Sequence, residues 1–271
     1  PANMIPHNKA NNLYTQMTQN YPTIREASKI NNTLQPFEAY NFKGGADWEK
    51  IEQARKLEST EYTVNKQLGY ISLNSALNND EVLAVAFDFT INGVRYQVGE
   101  FSSDGIDAPN TLVLKLLKGV SLSPGTKTWD LMMKNIYNIG AYDLSNKDFE
   151  LNVVYYNDST GSYINYLPES RIKGNILLNV MHLDKLNSQL DPGRPDGVFD
   201  FVSGITVLPN SGRIIFPVLE PFGKLLSDSI IDPNMINKFV YQSLYDSTRT
   251  FAEQDYEHNK YRIEGSYKGS S

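Results

Sequence analysis

A chain of 271 residues, 40% hydrophobic and 21% charged, is long enough to bury a core without covalent staples, and its 17 Tyr and 12 Phe suit sheets. A net charge of −6 with no run of Lys and Arg argues against a nucleic-acid surface, and the lack of cysteine excludes disulfides, thiolate nucleophiles and Cys-ligated metals. No stretch approaches the roughly 18 apolar residues of a membrane-spanning helix, and a start at Pro1 without a basic-then-apolar leader reads as an excised segment of a longer, exported polypeptide.

Residues 1–45 are rich in Asn, Gln, Thr and Pro, with scattered apolar anchors at Leu13, Tyr14, Met17, Tyr21, Ile24 and Leu34. They predict one or two short helices, the first capped by Asn11 or Asn12 and the second starting at Pro22. Gly44-Gly45 marks a break, and residues 48–57 fit either a short helix or a strand; the alternation of Ile51 and Leu57 favours the strand. The clearest stretch is 61–101. Tyr62 and Val64 alternate with polar neighbours, Gly69 supplies a turn, and residues 70–73 alternate again. Residues 82–87 are apolar on both parities, as in a strand covered on both faces. Phe87, Phe89 and Ile91 then alternate up to Asn92-Gly93, a dipeptide that tolerates positive φ twice and closes a tight hairpin onto Val94, Tyr96 and Val98.

Further on, residues 111–117 predict a short strand, and Trp129, Met132, Met133 and Ile136 recur at helical spacing, with Gly140 beyond the end. Residues 149–156 and 163–167 predict a hairpin, 176–181 a strand and 183–190 one helical turn. Ile205 and Val207, the turn 209–212 and residues 214–216 predict a second hairpin. Pro233 to Tyr245 reads as a helix and 261–265 as a terminal strand. The expected fold is therefore mainly β with a few short helices (α+β), its antiparallel hairpins forming sandwich-like sheets. The expected blocks are a helical lead-in at 1–45, a β-rich core at 46–225, and a helix plus strand at 226–271.

The chemistry is sparse. Asp191, Asp196 and Asp200 surround Gly197, so a calcium loop is a candidate, but Pro192 and Arg194 stand where an EF-type loop places acids, and a plain Asx-type turn explains the pattern better. His7, His182 and His258 lack neighbours at zinc-ligand spacing. No Walker loop, nucleophile elbow or dinucleotide fingerprint appears, and acid pairs that might run glycoside hydrolysis carry no specificity. Trp129, Met132 and Met133 form a candidate partner-binding face, although an apolar helical stripe more often faces its own core. Tyr163 and Tyr166 are candidate contacts on the same footing, since such tyrosines are more often cross-strand pairs.

Several stretches taken together resemble the SprA/Sov family, the large outer-membrane translocon of the bacterial type IX secretion system and of gliding motility in Bacteroidetes. The resemblance is carried by residues 54–57 and 61–63, 67–74, 96–101, 128–135, 163–167, 186–189, 195–201, 212–223 and 242–248, in order over roughly residues 30–270. It implies a piece of a very large chain whose barrel exports folded cargo and is met by accessory outer-membrane and periplasmic proteins. The run of outward-apolar strands of about ten residues that builds a barrel wall is missing. The expectation is thus a non-catalytic structural or interaction domain outside the bilayer, with no direct membrane insertion, facing the periplasm or the exterior. Its expected partners are the rest of its own chain, the accessory proteins and the cargo. No cofactor is implied, and no catalytic residue is carried over. The alternative expectation is a carbohydrate-binding or adhesin-like surface module; a glycosidase comes last.

Overall fold

The computed structural model describes residues 5–187 and 189–268. In chain order the elements are α1 (Leu13–Thr15), α2 (Ile30–Leu34), β1 (Tyr62–Asn65), β2 (Tyr70–Leu73), β3 (Leu83–Val85), β4 (Phe87–Ile91), β5 (Val94–Val98), β6 (Lys115–Lys118) and β7 (Ile136–Asn138). There follow β8 (Glu150–Asn157), β9 (Ser162–Ile164), α3 (Leu177–Val180), β10 (Val207–Leu208), β11 (Arg213–Ile215), α4 (Lys224–Ile230), α5 (Pro233–Phe239), α6 (Ser243–Asp246), α7 (Arg249–Gln254) and β12 (Tyr261–Ser266). The fold is α+β, with small antiparallel sheets of two or three strands among the described residues. Two compact units form, and neither is continuous in sequence: one takes the described residues of 1–62 and 73–132, the other those of 63–72 and 133–271.

In the first unit α1 and α2 are short turns continued by π and 3-10 segments; Asn11 rather than Asn12 accepts at the start of α1, and Pro22 opens a 3-10 turn while the second α-helix begins only at Ile30. The expected Asn-Gly hairpin is present: Asn92 and Gly93 have φ of 49° and 78°, and β4 pairs with β5 from Phe87↔Val98 to Ile91↔Val94. Opposite residues share a face, so Phe87, Phe89, Ile91, Val94, Tyr96 and Val98 make one apolar side. The outer edge of β5 is met by Asn8, whose amide brackets the Gly99 backbone at 2.8 and 2.9 Å while its own N–H donates to Gln97 O.

Two expectations fail in this unit. Residues 82–87 are not one strand covered on both faces: Ala84 is exposed, and the chain changes partner after Val85, β3 pairing with β6 and β4 with β5. Residues 48–57 form no strand. The carbonyl of Lys43 collects the N–H groups of Ala46, Asp47 and Trp48 into a turn, and residues 51–56 are exposed without a ladder partner.

The second unit is built around β8, the middle strand of β12–β8–β9, with Val153 fully buried. A second sheet, β10–β11–β7, contributes Val207, Ile214 and Ile215, and α3, α4 and α5 supply Leu177, Leu226, Ile230 and Phe239. The β1–β2 ribbon belongs here through residues 63–72, and Asn65 Nδ2 donates to Gly204 O at 2.8 Å. The expected 207–216 hairpin and terminal strand are both present.

Residues 176–181 are helical rather than extended. Leu177, Leu178, Val180 and Met181 are all buried, so the run shows neither alternation nor a polar face, and such a run carries no period to read. The helix expected over 129–137 stops at Leu131. Asn135 exchanges hydrogen bonds with Phe216 through backbone (2.9 Å) and side chain (2.7 Å), which draws 136–138 into the sheet as β7. The described residues of 183–190 form no helix, and Ser188 lies outside the described residues. The helix expected over 233–245 is two: α5 ends where Val240 turns extended and the Tyr241 N–H donates to Phe222 O at 2.9 Å, and α6 restarts at Ser243. α5 itself begins at Pro233 as expected, and the Asp232 carboxylate caps the N–H groups of Asn234 and Met235. Between α4 and α5, Ile231 has φ 69° and ψ −42°, and the Asp232 N–H closes on Ile230 O at 2.8 Å: a γ-turn of the strained hand at a β-branched residue.

Candidate functional site

Asp200 is buried, and its carboxylate accepts the N–H of Lys185 at 2.5 Å and of Leu186 at 3.1 Å. Asp184, which sequence reasoning missed, does the reverse: its two oxygens accept the N–H groups of Asp196 and Gly197 at 3.1 and 3.0 Å. The segments 184–186 and 196–200 thus hold each other by one buried carboxylate apiece, at the base of the loop between them. Burial pushes the Asp184 carboxyl above its ordinary value, and the nearby charges of Asp196 and Asp200 push the same way against the two N–H groups. No spacing rule signals this residue, because its partners are backbone groups twelve and thirteen positions on.

Each calcium candidate is engaged by backbone groups. Asp196 caps the Val198 N–H at 3.0 Å, Asp191 bonds through its backbone to Asn187, and Asp200 points at N–H groups that a cation would repel. Among the described residues no group of three or more His, Asp or Glu is placed to hold a metal ion.

Trp129, Met132 and Met133 are each half-buried, and with Met132 already extended (ψ 133°) they do not form one helical stripe. Tyr163 and Tyr166 are 39% and 40% exposed. Tyr163 meets Tyr156 edge-on at 5.2 Å, and the Arg262 guanidinium lies 4.2 Å from its ring centre, a cation over a π face at the surface.

Two polar networks went unforeseen. In the first unit, Glu100 is 2% exposed and receives Arg25 on both oxygens at 2.6 Å, Tyr14 Oη at 2.6 Å and the Val113 N–H at 2.7 Å. Burial opposes the charged form, but these donors outweigh it and hold the carboxyl below its ordinary value. In the second unit, the Phe222 N–H donates to Tyr245 Oη at 3.0 Å, Tyr245 donates to Tyr137, and Tyr137 donates to Lys134 O at 2.9 Å. Burial raises both hydroxyls, that of Tyr137 to about 12, so the relay stays neutral. Tyr245→Phe removes an acceptor and a donor from a buried chain and is expected to destabilise by about 1–3 kcal/mol, read as a lower urea midpoint.

Ser243, Asp255 and His258 are also joined, at 2.5 Å from Ser243 Oγ to Asp255 and 2.8 Å from Asp255 to His258 Nδ1. The carboxylate stands between hydroxyl and imidazole, so the imidazole is not aimed at the serine, and the order differs from that of a Ser-His-Asp triad. His258 Nε2 instead reaches Asn237 O at 2.9 Å, which ties α5 to the turn after α7. Burial lowers the imidazole's proton affinity, but Asn237 O and Asp255 outweigh it, and the folded value lies above the ordinary one. A raised folded value means that the contribution is fully present below the unfolded histidine value and is lost as pH rises through the folded value. His258→Gln should therefore narrow its stability gap to the parent chain as pH rises across that window, followed by urea midpoints at each pH.

No family model matches the chain, and no relative among the curated proteins matches it.

Proposed function

We propose that this chain is a non-catalytic structural and interaction domain of an outer-membrane protein-export pore of the type IX kind. The observation that supports this reading is where the family-like stretches lie. Residues 212–223 and 242–248 interlock: Gln242 Nε2 donates to Glu220 at 3.2 Å, Tyr245 accepts the Phe222 N–H, and a Cβ on Gly223 would stand 2.8 Å from the Tyr245 ring. Residues 128–135 join them at Asn135 and Phe216, and residues 195–201 send Phe199 into the same core. The stretches that carry the resemblance supply core contacts, which supports reading them as a scaffold. Among the described residues no helix is long and apolar enough to cross a membrane.

The exposed Tyr163 and Tyr166 are the contact points to test. A photo-reactive side chain at either position, in the full parent chain in intact cells, is expected to cross-link to an accessory secretion protein or to cargo. Absence of protein adducts at both positions, together with normal cargo export after deletion of this domain, would overturn the reading.

A further inference from the structure

We propose that the open groove between residues 30–40 and the Gly44-Gly45 turn is a binding site for a neutral saccharide, an assignment that goes beyond the scaffold role above. The groove measures about 680 Å³, inside the roughly 300–1,000 Å³ typical of small-molecule sites. Asn31, Gln35 and Glu38, spaced four and then three residues apart on the helical run, line one side. Trp48, Lys50 and Glu52 line the other.

The Trp48 ring is pre-positioned. A Cβ on Gly44 would stand 3.1 Å from the indole, so the turn carries glycine where the ring lies against it, and the Gly45 N–H closes on Trp48 O at 2.9 Å. The turn is anchored from behind: Gly45 O accepts the Ser121 N–H at 3.0 Å, and Glu49 Oε1 accepts the Val120 N–H at 2.7 Å.

Charge and polarity select the ligand class. Glu38, Glu49 and Glu52 against a single Lys50 repel phosphates and sulfates. A metal ion lacks donors, since Glu52 pairs with Lys50 at 2.5 Å and Glu49 is engaged by Val120, which leaves Glu38 alone. An apolar ligand would strand the amides of Asn31 and Gln35. A neutral polyol satisfies all of them: its hydroxyls both donate and accept, as the amides and carboxylate require, and its C–H face suits an indole ring.

The chain has two tryptophans, so its ¹⁵N-indole spectrum holds two side-chain signals, assigned with Trp48→Phe. Titration with cellotriose, laminaritriose, maltotriose, mannotriose and chitotriose is expected to shift the Trp48 signal saturably with at least one of them and to leave Trp129 unmoved. Gln35→Ala and Glu38→Ala change exposed side chains, so both variants should fold, and each should weaken that binding about fivefold to tenfold, the effect of one lost hydrogen bond. No saturable shift with any of the five sugars, binding unchanged in both variants, or the same shift produced by calcium chloride alone would each overturn the proposal. None of these failures bears on the cross-linking result.

Discussion

Gly212→Ala is expected to disrupt the second unit, with a loss of about 4 kcal/mol or more, in the range reserved for core disruption. Gly212 has φ 57° at the end of the turn between β10 and β11, and a Cβ there would stand 1.6 Å from the carbonyl oxygen of Ala141. That oxygen belongs to a buried residue of the core, and Ile139, two positions earlier, donates its N–H to Gly212 O at 3.0 Å. Neither chain can withdraw without breaking the β7–β11 pairing that closes the sheet. Gly69→Ala is the control: Gly69 also has positive φ, at 73°, but open space surrounds it, so the strain of the left-handed conformation remains alone, about 1–2 kcal/mol. Both tryptophans lie in the first unit, whereas the second is rich in tyrosine, so near-UV tyrosine signals should register the Gly212 variant first. Equal urea midpoints for the two variants would contradict this account.

Glu100→Ala should have the second largest effect, about 3 kcal/mol, the lower end of what is lost when a buried ion pair is broken from one side. The substitution leaves the Arg25 guanidinium, the Tyr14 hydroxyl and the Val113 N–H without their common acceptor. Glu100→Gln should recover less than half of the loss. Its amide presents one oxygen where four donor contacts converge on two, and its NH₂ would face donors. The folded carboxyl is held low, so its contribution is present above the unfolded carboxylate value and lost as pH falls through the folded value. Acid unfolding followed by tryptophan fluorescence should accordingly begin at higher pH in both variants than in the parent chain.

The local grammar of the fold was legible in the residues. Asn92-Gly93 and the 209–212 turn each set a hairpin register, Pro233 started α5, and the alternation of 149–156 marked the strand at the centre of the second unit. What was not legible depends on partners distant in sequence. Residues 176–181 carry four buried apolar side chains and so no readable period, and 132–138 left a helical pattern because Asn135 finds Phe216, 81 positions away. The polar networks were hidden for the same reason, Arg25 and Glu100 being 75 residues apart. α4 and α7 were missed because each is one or two turns long, too short for a period to repeat. The groove at Trp48 was invisible because residues 48–57 were taken for a strand instead of the wall of a turn.

The crossed carboxylates of Asp184 and Asp200 have an evolutionary consequence. By fixing 184–186 to 196–200, they separate the length of the intervening loop from the integrity of the core. Once the base is clamped, doubling such a loop adds only about 0.6 kcal/mol of closure entropy. Residues around Pro192 and Gly193 can therefore be lengthened, shortened or replaced by a foreign peptide while β8 and its neighbours keep their places, and this is where related chains are free to diverge.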